Sequence, residues 1–217
     1  ARAHAQAATR ILATDAADDL LRFLRRTEGE LARIAARPLV RALDPATCDP
    51  LVAEFAKIYP DYAALSVRNA RGEVVCAGEA DPLRRLGLPQ MPWFAQALGT
   101  DGPHATDATT VPTGNGWMTV LTHPVHDDAG QVIGLLTLPI DLRALGERLL
   151  AAVPAQALVA VLDRQRTIIL RSRDAARYVG QQPQQPGFEV ADGEREGCML
   201  ATGVDGVSRL AGYLVLP

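Results

Sequence analysis

The sequence lacks the features that mark several large classes of protein. It has no apolar run long enough to span a bilayer, and its formal net charge of −3 comes without the basic cluster that nucleic acid requires. Its three serines, Ser66, Ser172 and Ser208, all fall on predicted strands away from any histidine. No nucleophile elbow, Walker loop, HExxH motif or dinucleotide-binding fingerprint is present. These absences argue against an enzyme, and no cofactor is expected.

Cysteine is scarce, and its spacing does not indicate a metal site. Cys48, Cys76 and Cys198 form no C-x-x-C pair and have no histidine at zinc-like distance. His123 and His126 have H-x-x-H spacing but straddle a predicted strand end and turn, so no metal is predicted there. A disulfide between Cys48 and Cys76 would stabilise the fold by roughly 3.5 kcal/mol. Two buried thiols are the alternative, and the sequence leaves both open.

A repeated pattern of paired strands is the most informative feature that the sequence does contain. The first pair of repeats spans residues 64–87 and 159–180, and the second spans residues 122–138 and 199–216. Aligning Asn69 with Asp163 sets Gly72 opposite Arg166, with strand-like residues on both sides. Strand, polar turn and strand in succession are typical of antiparallel hairpins. The fold class is therefore predicted to be α+β, with two related antiparallel-sheet lobes in tandem.

A single long helix is predicted over residues 2–37, ahead of both lobes. Its apolar seam recurs at intervals of four and three residues and comprises Leu20, Leu24, Thr27, Leu31 and Ile34. Gly29 is the one glycine in it, and glycine weakens a helix without having to break it. Such a helix would be about 50 Å long, more than a small lobe needs. The excess predicts that residues 1–40 form a stalk or a dimerisation helix.

The remaining chain is predicted to form a larger lobe at residues 41–153 and a smaller one at residues 154–217. In the larger lobe Pro92 opens a short helix, PWFAQAL, and a Thr-rich loop follows at residues 100–116. Two long strands come next, and Asp141 is placed to cap the helix after them.

Candidate ligand-binding residues surround the 100–116 loop, because loops of that length without structure of their own usually serve a site. They are Trp93, Phe94, Thr110, Trp117, Thr119 and Asp141. We expect a cavity between the Trp93–Phe94 helix, the loop and the sheet face that carries Trp117 and Thr119, since a polar loop over aromatic side chains suits a small molecule. The alternative is that Trp93 and Phe94 simply fill the core between helix and sheet.

The order of these pieces is itself informative. The segments concerned are 62–78 (YAALSVRNARGEVVCAG), 92–94 (PWF), 124–142 (PVHDDAGQVIGLLTLPIDL) and 163–180. With the long helix before them, they resemble the double Cache family in order and spacing. Members of that family are the tandem PAS-like extracytoplasmic sensor regions of bacterial membrane receptors. The resemblance covers essentially the whole chain, although each motif is short.

The resemblance implies a membrane-distal first lobe that binds a small ligand and a second lobe that leads to a transmembrane helix. In the amino-acid-binding branch an arginine stands two residues before the tryptophan, and Met91 stands there in this chain. Ala108 and Thr110 occupy the positions of that branch's Tyr and Asp, whereas Trp93, the aromatic Phe94 after it, and Asp141 are kept. Without the arginine a carboxylate loses its bidentate partner, so a neutral or cationic ligand, or an anion held by backbone amides, is expected rather than an ordinary amino acid.

The sequence thus predicts the extracytoplasmic ligand-sensing domain of a bacterial transmembrane receptor, a histidine kinase, diguanylate cyclase or chemoreceptor. The expected setting is the inner membrane, with this domain facing the periplasm as a homodimer through its first helix. The chain is expected to be a piece of a longer protein whose flanking helices reach the membrane. The alternatives are a small α+β hydrolase or lyase, and a ligand-free structural dimerisation module.

Overall fold

The chain divides into two units, with boundaries between Leu24 and Arg25 and between Leu142 and Arg143. The computed structural model describes residues 2–59, 62–84, 87–110, 116–183 and 194–216. Residues 25–142 form one unit, named the central unit, and residues 1–24 together with 143–217 form the other, named the terminal unit. Within the described ranges, no helix combines the length and apolar character needed to cross a membrane.

The first helix, α1, runs from Arg2 to Ala35 without a break, as predicted, and Gly29 lies inside it. The predicted seam is buried: Leu20, Thr27, Leu31 and Ile34 are at most 7% exposed, and Leu24 is half-buried. This seam therefore packs against the chain itself. The helix ends before Pro38, because a residue that precedes proline is pushed into the extended conformation that Arg37 adopts.

The remaining elements of the central unit are four short helices, a 3-10 turn and six strands. In chain order they are α2 (Pro38–Arg41), α3 (Pro50–Ala53), α4 (Phe55–Ile58), β1 (Ser66–Asn69), β2 (Val74–Ala77), the 3-10 turn Leu88–Gln90, α5 (Pro92–Leu98), β3 (His104–Ala105), β4 (Thr109–Thr110), β5 (Trp117–His126) and β6 (Val132–Asp141). Asp49 caps α3 by accepting a hydrogen bond from the Leu51 amide at 2.9 Å. Proline opens three of the helices, where its fixed φ suits the first turn.

The six strands of the central unit form one antiparallel sheet. The strand order is β2-β1-β6-β5-β3, and β4 also pairs with β5. The long strands β5 and β6 therefore lie in the middle, and β1 joins the first hairpin to them. Antiparallel pairing throughout, with helices on the sheet, confirms the predicted α+β class.

The segment at residues 100–116 is more regular than the sequence predicted. Instead of a loop without structure, it contains β3 and β4, both of which extend the sheet along β5. Thr109 pairs with Met118 and Thr110 with Trp117. Threonine is β-branched and suits an extended backbone, which favours strand here once β5 offers an edge. Residues 111–115 of this segment lie outside the described residues.

The terminal unit contains two hairpins and two further helices. Its elements are α6 (Leu142–Leu149), β7 (Ala160–Leu162), β8 (Ile168–Arg171), α7 (Ala175–Tyr178), β9 (Glu196–Thr202) and β10 (Ser208–Leu214). The strands β7 and β8 pair with each other, and so do β9 and β10. In the part of this unit that the structure describes, no strand pairing joins the two hairpins. In the central unit, by contrast, the pairing of β1 with β6 joins the β1–β2 hairpin to the β5–β6 hairpin.

The repeat seen in the sequence is confirmed at the level of hairpin geometry. The β1–β2 hairpin pairs Val67 with Cys76, and the β7–β8 hairpin pairs Val161 with Leu170. Each ladder shifts register one residue later, at the position that the sequence alignment sets in correspondence. The two hairpins therefore agree residue by residue, including the irregularity.

One turn design closes these hairpins and the β5–β6 hairpin. The first turn residue is Asn69, Asp127 or Asp163, and its side-chain oxygen accepts two backbone amides, two and four residues later, at 2.8–3.1 Å. The fourth residue has a positive φ, 78° at Gly72 and Gly130 and 62° at Arg166. Glycine adopts that conformation freely, but arginine does so at a cost. Gly72 and Arg166 are thus equivalent because the turn requires a positive φ at this position in both hairpins.

Candidate ligand-binding site

Strand pairing separates the two faces of the central sheet. Residues directly opposite each other in an antiparallel ladder share a face, and neighbours along a strand alternate between faces. Met118 lies opposite Asp141 and Val120 lies opposite Pro139, so all four share one face. Phe94 of α5 packs against Val120 on that side, which is therefore named the α5 face.

Helix α5 places Phe94 in the core and Trp93 at the edge of the core. Phe94 is 2% exposed and lies in a cluster with five other buried residues, Leu83, Leu88, Ala97, Val120 and Leu135. Trp93 is half-buried, packs against the same cluster, and meets the Phe94 ring edge-on with centroids 5.9 Å apart. Phe94 therefore serves the core, whereas part of the Trp93 ring stays accessible.

Trp117 and Thr119 lie on the opposite face of the sheet from α5. They alternate along β5 with the residues of the α5 face, in a stretch whose register is regular. The opposite face is covered by the N-terminal helices: α2 contacts β5, and α3 contacts β1 and β2. Cys76 of β2 forms a disulfide there with Cys48, with α-carbons 5.1 Å apart. The sheet thus separates Trp117 and Thr119 from the Trp93–Phe94 helix, instead of bringing all four to one cavity.

The other candidate residues differ in what they contact. Asp141 is exposed and, through its register with Met118, belongs to the α5 face. The Thr119 hydroxyl donates to the backbone carbonyl of Thr106 at 2.7 Å, which ties β5 to its neighbouring segment. The backbone of Thr110 pairs with Trp117, while its side chain lies outside the described part of the structure. Of the six candidates, Trp93, Phe94 and Asp141 therefore come together on one face.

The sequence analysis missed a buried ion pair on the α5 face. Arg68 lies opposite Leu135 on that face and is 1% exposed, and its Nη2 donates to the Asp81 carboxylate at 2.8 Å. The Asp81 side chain is fully buried. Alternation along β1 could not have revealed it, because the apolar residues Leu65 and Val67 fill one face and the pattern then predicts that Ser66 and Arg68 face solvent.

Burial dominates the electrostatics of this pair. Removal from water lowers the pKa of Arg68, and the charge and hydrogen bond of Asp81 offset part of that effect. The charge of Arg84 lowers the pKa of Arg68 further. Arg84 is exposed, so solvent screens its charge.

Solved structures of bacterial sensor domains share this architecture. The extracellular domain of rpHK1S-Z16, assigned as a histidine kinase, matches with a TM-score of 0.76 and 14% identity over 98% of this chain and 89% of its own. The ligand-binding domain of the Pseudomonas fluorescens chemoreceptor CtaA with L-isoleucine gives 0.67 and 17%, over 96% and 84%. That of the Campylobacter jejuni chemoreceptor Tlp3 with L-valine gives 0.59 and 15%, over 76% and 70%. No protein-family model and no curated protein matches the sequence.

The chain has the double Cache fold. This confirms the resemblance drawn from the order of its sequence motifs. At identities of 14–17%, the likeness establishes the fold, and the ligand has to be argued from the residues themselves.

Within the double Cache fold of the central unit, a row of hydroxyl groups crosses the α5 face. Thr122, Thr137 and Ser66 are cross-strand neighbours on β5, β6 and β1, and each is at most 1% exposed. The Ser66 and Thr137 hydroxyls are 2.7 Å apart, and Thr122 donates to the His104 carbonyl at 3.2 Å. One hydrogen suffices for the Ser66–Thr137 bond, so the second hydroxyl keeps a proton to donate. This interior is polar, in contrast to an ordinary apolar core.

The two histidines of the H-x-x-H motif make separate contacts. His126 Nε2 lies 2.8 Å from the Asp101 carboxylate, and His123 Nδ1 lies 2.9 Å from the Pro124 carbonyl. Within the described ranges, no group of three or more His, Cys, Asp or Glu side chains is arranged to hold a metal ion. His126 instead helps to tie the β5–β6 turn to the segment before β3.

Proposed function

We propose that this chain is the extracytoplasmic sensor domain of a bacterial membrane receptor and that it binds a small molecule on the α5 face of the central unit. The observation that carries the proposal is that α5, which carries Trp93, packs on the same face of the sheet to which Asp141 belongs. The double Cache fold supports it, because the solved structures with this fold include sensor domains. In this proposal the central unit is membrane-distal, and the terminal unit leads to the membrane and to a cytoplasmic kinase, cyclase or chemotaxis output.

The ligand is proposed to differ from an ordinary amino acid. CtaA and Tlp3 were solved with L-isoleucine and L-valine. This chain has Met91 where the amino-acid-binding pattern has arginine, and Met91 is half-buried against the core cluster of α5. The Met91 thioether has neither a charge nor a hydrogen-bond donor to offer a carboxylate. The guanidinium that accompanies Trp93 and Asp141 in the amino-acid-binding pattern is therefore absent at this position.

The proposed location is the periplasmic side of the bacterial inner membrane. The Cys48–Cys76 disulfide supports it, because such bonds persist in the periplasm and are rare in the cytosol. A homodimer through α1 is also proposed. Since the seam that includes Leu31 and Ile34 is buried against the chain itself, the partner would have to use the exposed side of α1, where Ile11 is 60% exposed.

A thermal-shift screen with amino acids, carboxylates and polyamines tests the proposal. A compound that binds only the native state at one hundred times its Kd stabilises the protein by about 2.7 kcal/mol. For a chain of this size, that corresponds to a rise in Tm of roughly 5–10 °C. If compounds from all three classes leave the Tm unchanged, the sensor proposal loses its basis.

Two tryptophans give a matched pair of variants for locating the site. Trp93→Ala should abolish the ligand-induced rise in Tm, because it removes the accessible aromatic surface of the α5 face. Trp117→Ala should keep the rise, because Trp117 lies on the opposite face. Circular dichroism of both variants checks that the fold is retained. Loss of the response in Trp117→Ala alone would place the ligand on the other face.

A further inference from the structure

Arg68 carries a hydrogen-bond donor with no acceptor. Among the described residues, its Nε is the one buried side-chain nitrogen or oxygen without a partner. Its Nη2 is taken by Asp81 at 2.8 Å, and its Nη1 reaches the Gly72 carbonyl only at 3.4 Å. Buried donors in folded proteins are nearly always paired, and leaving one unpaired costs about 1–3 kcal/mol. The Nε–H is therefore available to an acceptor from outside the described residues.

Asp81 already serves two other donors. One of its carboxylate oxygens accepts from Arg68 Nη2, and the other accepts from the Leu83 amide at 2.9 Å. Asp81 thereby holds its own loop in place while it balances the charge of Arg68. A guanidinium N–H forms a charge-assisted hydrogen bond with an ionised acceptor, which is shorter and stronger than a bond with a neutral acceptor.

We propose that Arg68 is a ligand-binding residue and that its Nε–H donates to a carboxylate of the small molecule sensed by the central unit. This inference rests on the proposed sensor function and names the chemical class of its ligand. A carboxylate oxygen satisfies the free donor with a charge-assisted hydrogen bond. The Ser66–Thr137 pair lies on the same face, with Ser66 two residues from Arg68, and offers a second donor.

The Arg68 Nε–H can be observed directly by NMR, since arginine side-chain Nε–H pairs give their own ¹H–¹⁵N signals. The probes are acetate, pyruvate, L-lactate and succinate, each compared with its uncharged amide at equal ionic strength. We expect at least one carboxylate to move the Arg68 signal and to raise the Tm, and the corresponding amide to do neither. The signal is assigned by its loss in the variant described next.

The double variant Arg68→Met/Asp81→Leu removes the site while keeping the interior filled. Replacing both members of a buried ion pair with apolar residues of similar volume is often tolerated, whereas removing one member leaves an unpaired charge. The control is Arg171→Met in the terminal unit, where Arg171 is 3% exposed and pairs with Asp205 at 2.8 Å. Asp205 keeps a second partner, Arg209, at 2.9 Å, so this single substitution leaves no unpaired charge. The double variant should weaken carboxylate binding at least tenfold, and Arg171→Met should leave the Kd within twofold.

The outcomes separate this inference from the sensor proposal. If a neutral or cationic compound raises the Tm while no carboxylate moves the Arg68 signal, the sensor function stands and the role of Arg68 is refuted. The role of Arg68 is also refuted if a carboxylate binds equally well to the double variant. If no compound of any class changes the Tm or the signal, both proposals fail together.

Discussion

The Cys48–Cys76 disulfide offers the sharpest quantitative test of the fold. It joins residues 28 apart in sequence, and closing a loop of that length lowers the entropy of the unfolded chain enough to stabilise the native state by about 3.5 kcal/mol. The double variant Cys48→Ala/Cys76→Ala should lose about that much free energy of unfolding. For a chain of this size the loss corresponds to a fall in Tm of roughly 7–14 °C. Denaturation by urea and scanning calorimetry measure the two quantities.

The third cysteine provides the control for this experiment. Cys198 is free and closes no loop, so Cys198→Ser should change the free energy of unfolding by no more than about 0.5 kcal/mol. Dithiothreitol should destabilise the native protein but leave the double variant unchanged. If the double variant loses less than about 1 kcal/mol, or if the reductant destabilises it to the same extent, the loop-closure reasoning is refuted.

Three further substitutions test the turns and the ion pairs. Arg166→Gly should raise the free energy of unfolding by about 0.5–1 kcal/mol, because glycine relieves a positive φ; Gly130→Ala, where a methyl group meets nothing, should lower it by a similar amount. Asp205→Asn should cost about 2 kcal/mol at pH 7. Hydrogen bonds from Arg209, and to a lesser degree from Arg171, hold the pKa of Asp205 well below its usual range. The difference in free energy of unfolding between Asp205→Asn and the unmodified protein should therefore shrink as the pH falls below about 4, because the unfolded chain then takes up a proton at Asp205 before the folded chain does. Urea denaturation across pH measures each effect; a constant difference down to pH 3 would contradict the role of Asp205.

Local patterns predicted the elements of this fold because each rests on a few neighbouring residues. The long helix was predicted from the spacing of its apolar seam, which includes Leu31 and Ile34. The equivalence of the two turns was predicted from the alignment of Asn69 with Asp163. Each of these features depends on hydrogen bonds or contacts within one element and its turn. Sequence reasoning therefore succeeded where the deciding interactions are short in range.

The site was harder to predict because it depends on which element covers which face. Alternation along β5 shows that Trp117 and Thr119 share a face, but it cannot show whether α5 or the N-terminal helices pack there. That choice depends on pairing between β1 and β6, which lie far apart in the chain. Arg68 was missed for a related reason: its significance lies in the partner that it lacks, and only packed coordinates reveal an unpaired donor.

The shared turn has a consequence for how such proteins diverge. Its geometry depends on two positions of five: a side-chain acceptor at the first, and a residue that tolerates positive φ at the fourth. The positions between them can mutate freely while the strands stay in register. Genomes could therefore be searched for the spacing of such turns along a sequence, because that spacing would persist even where sequence identity is low.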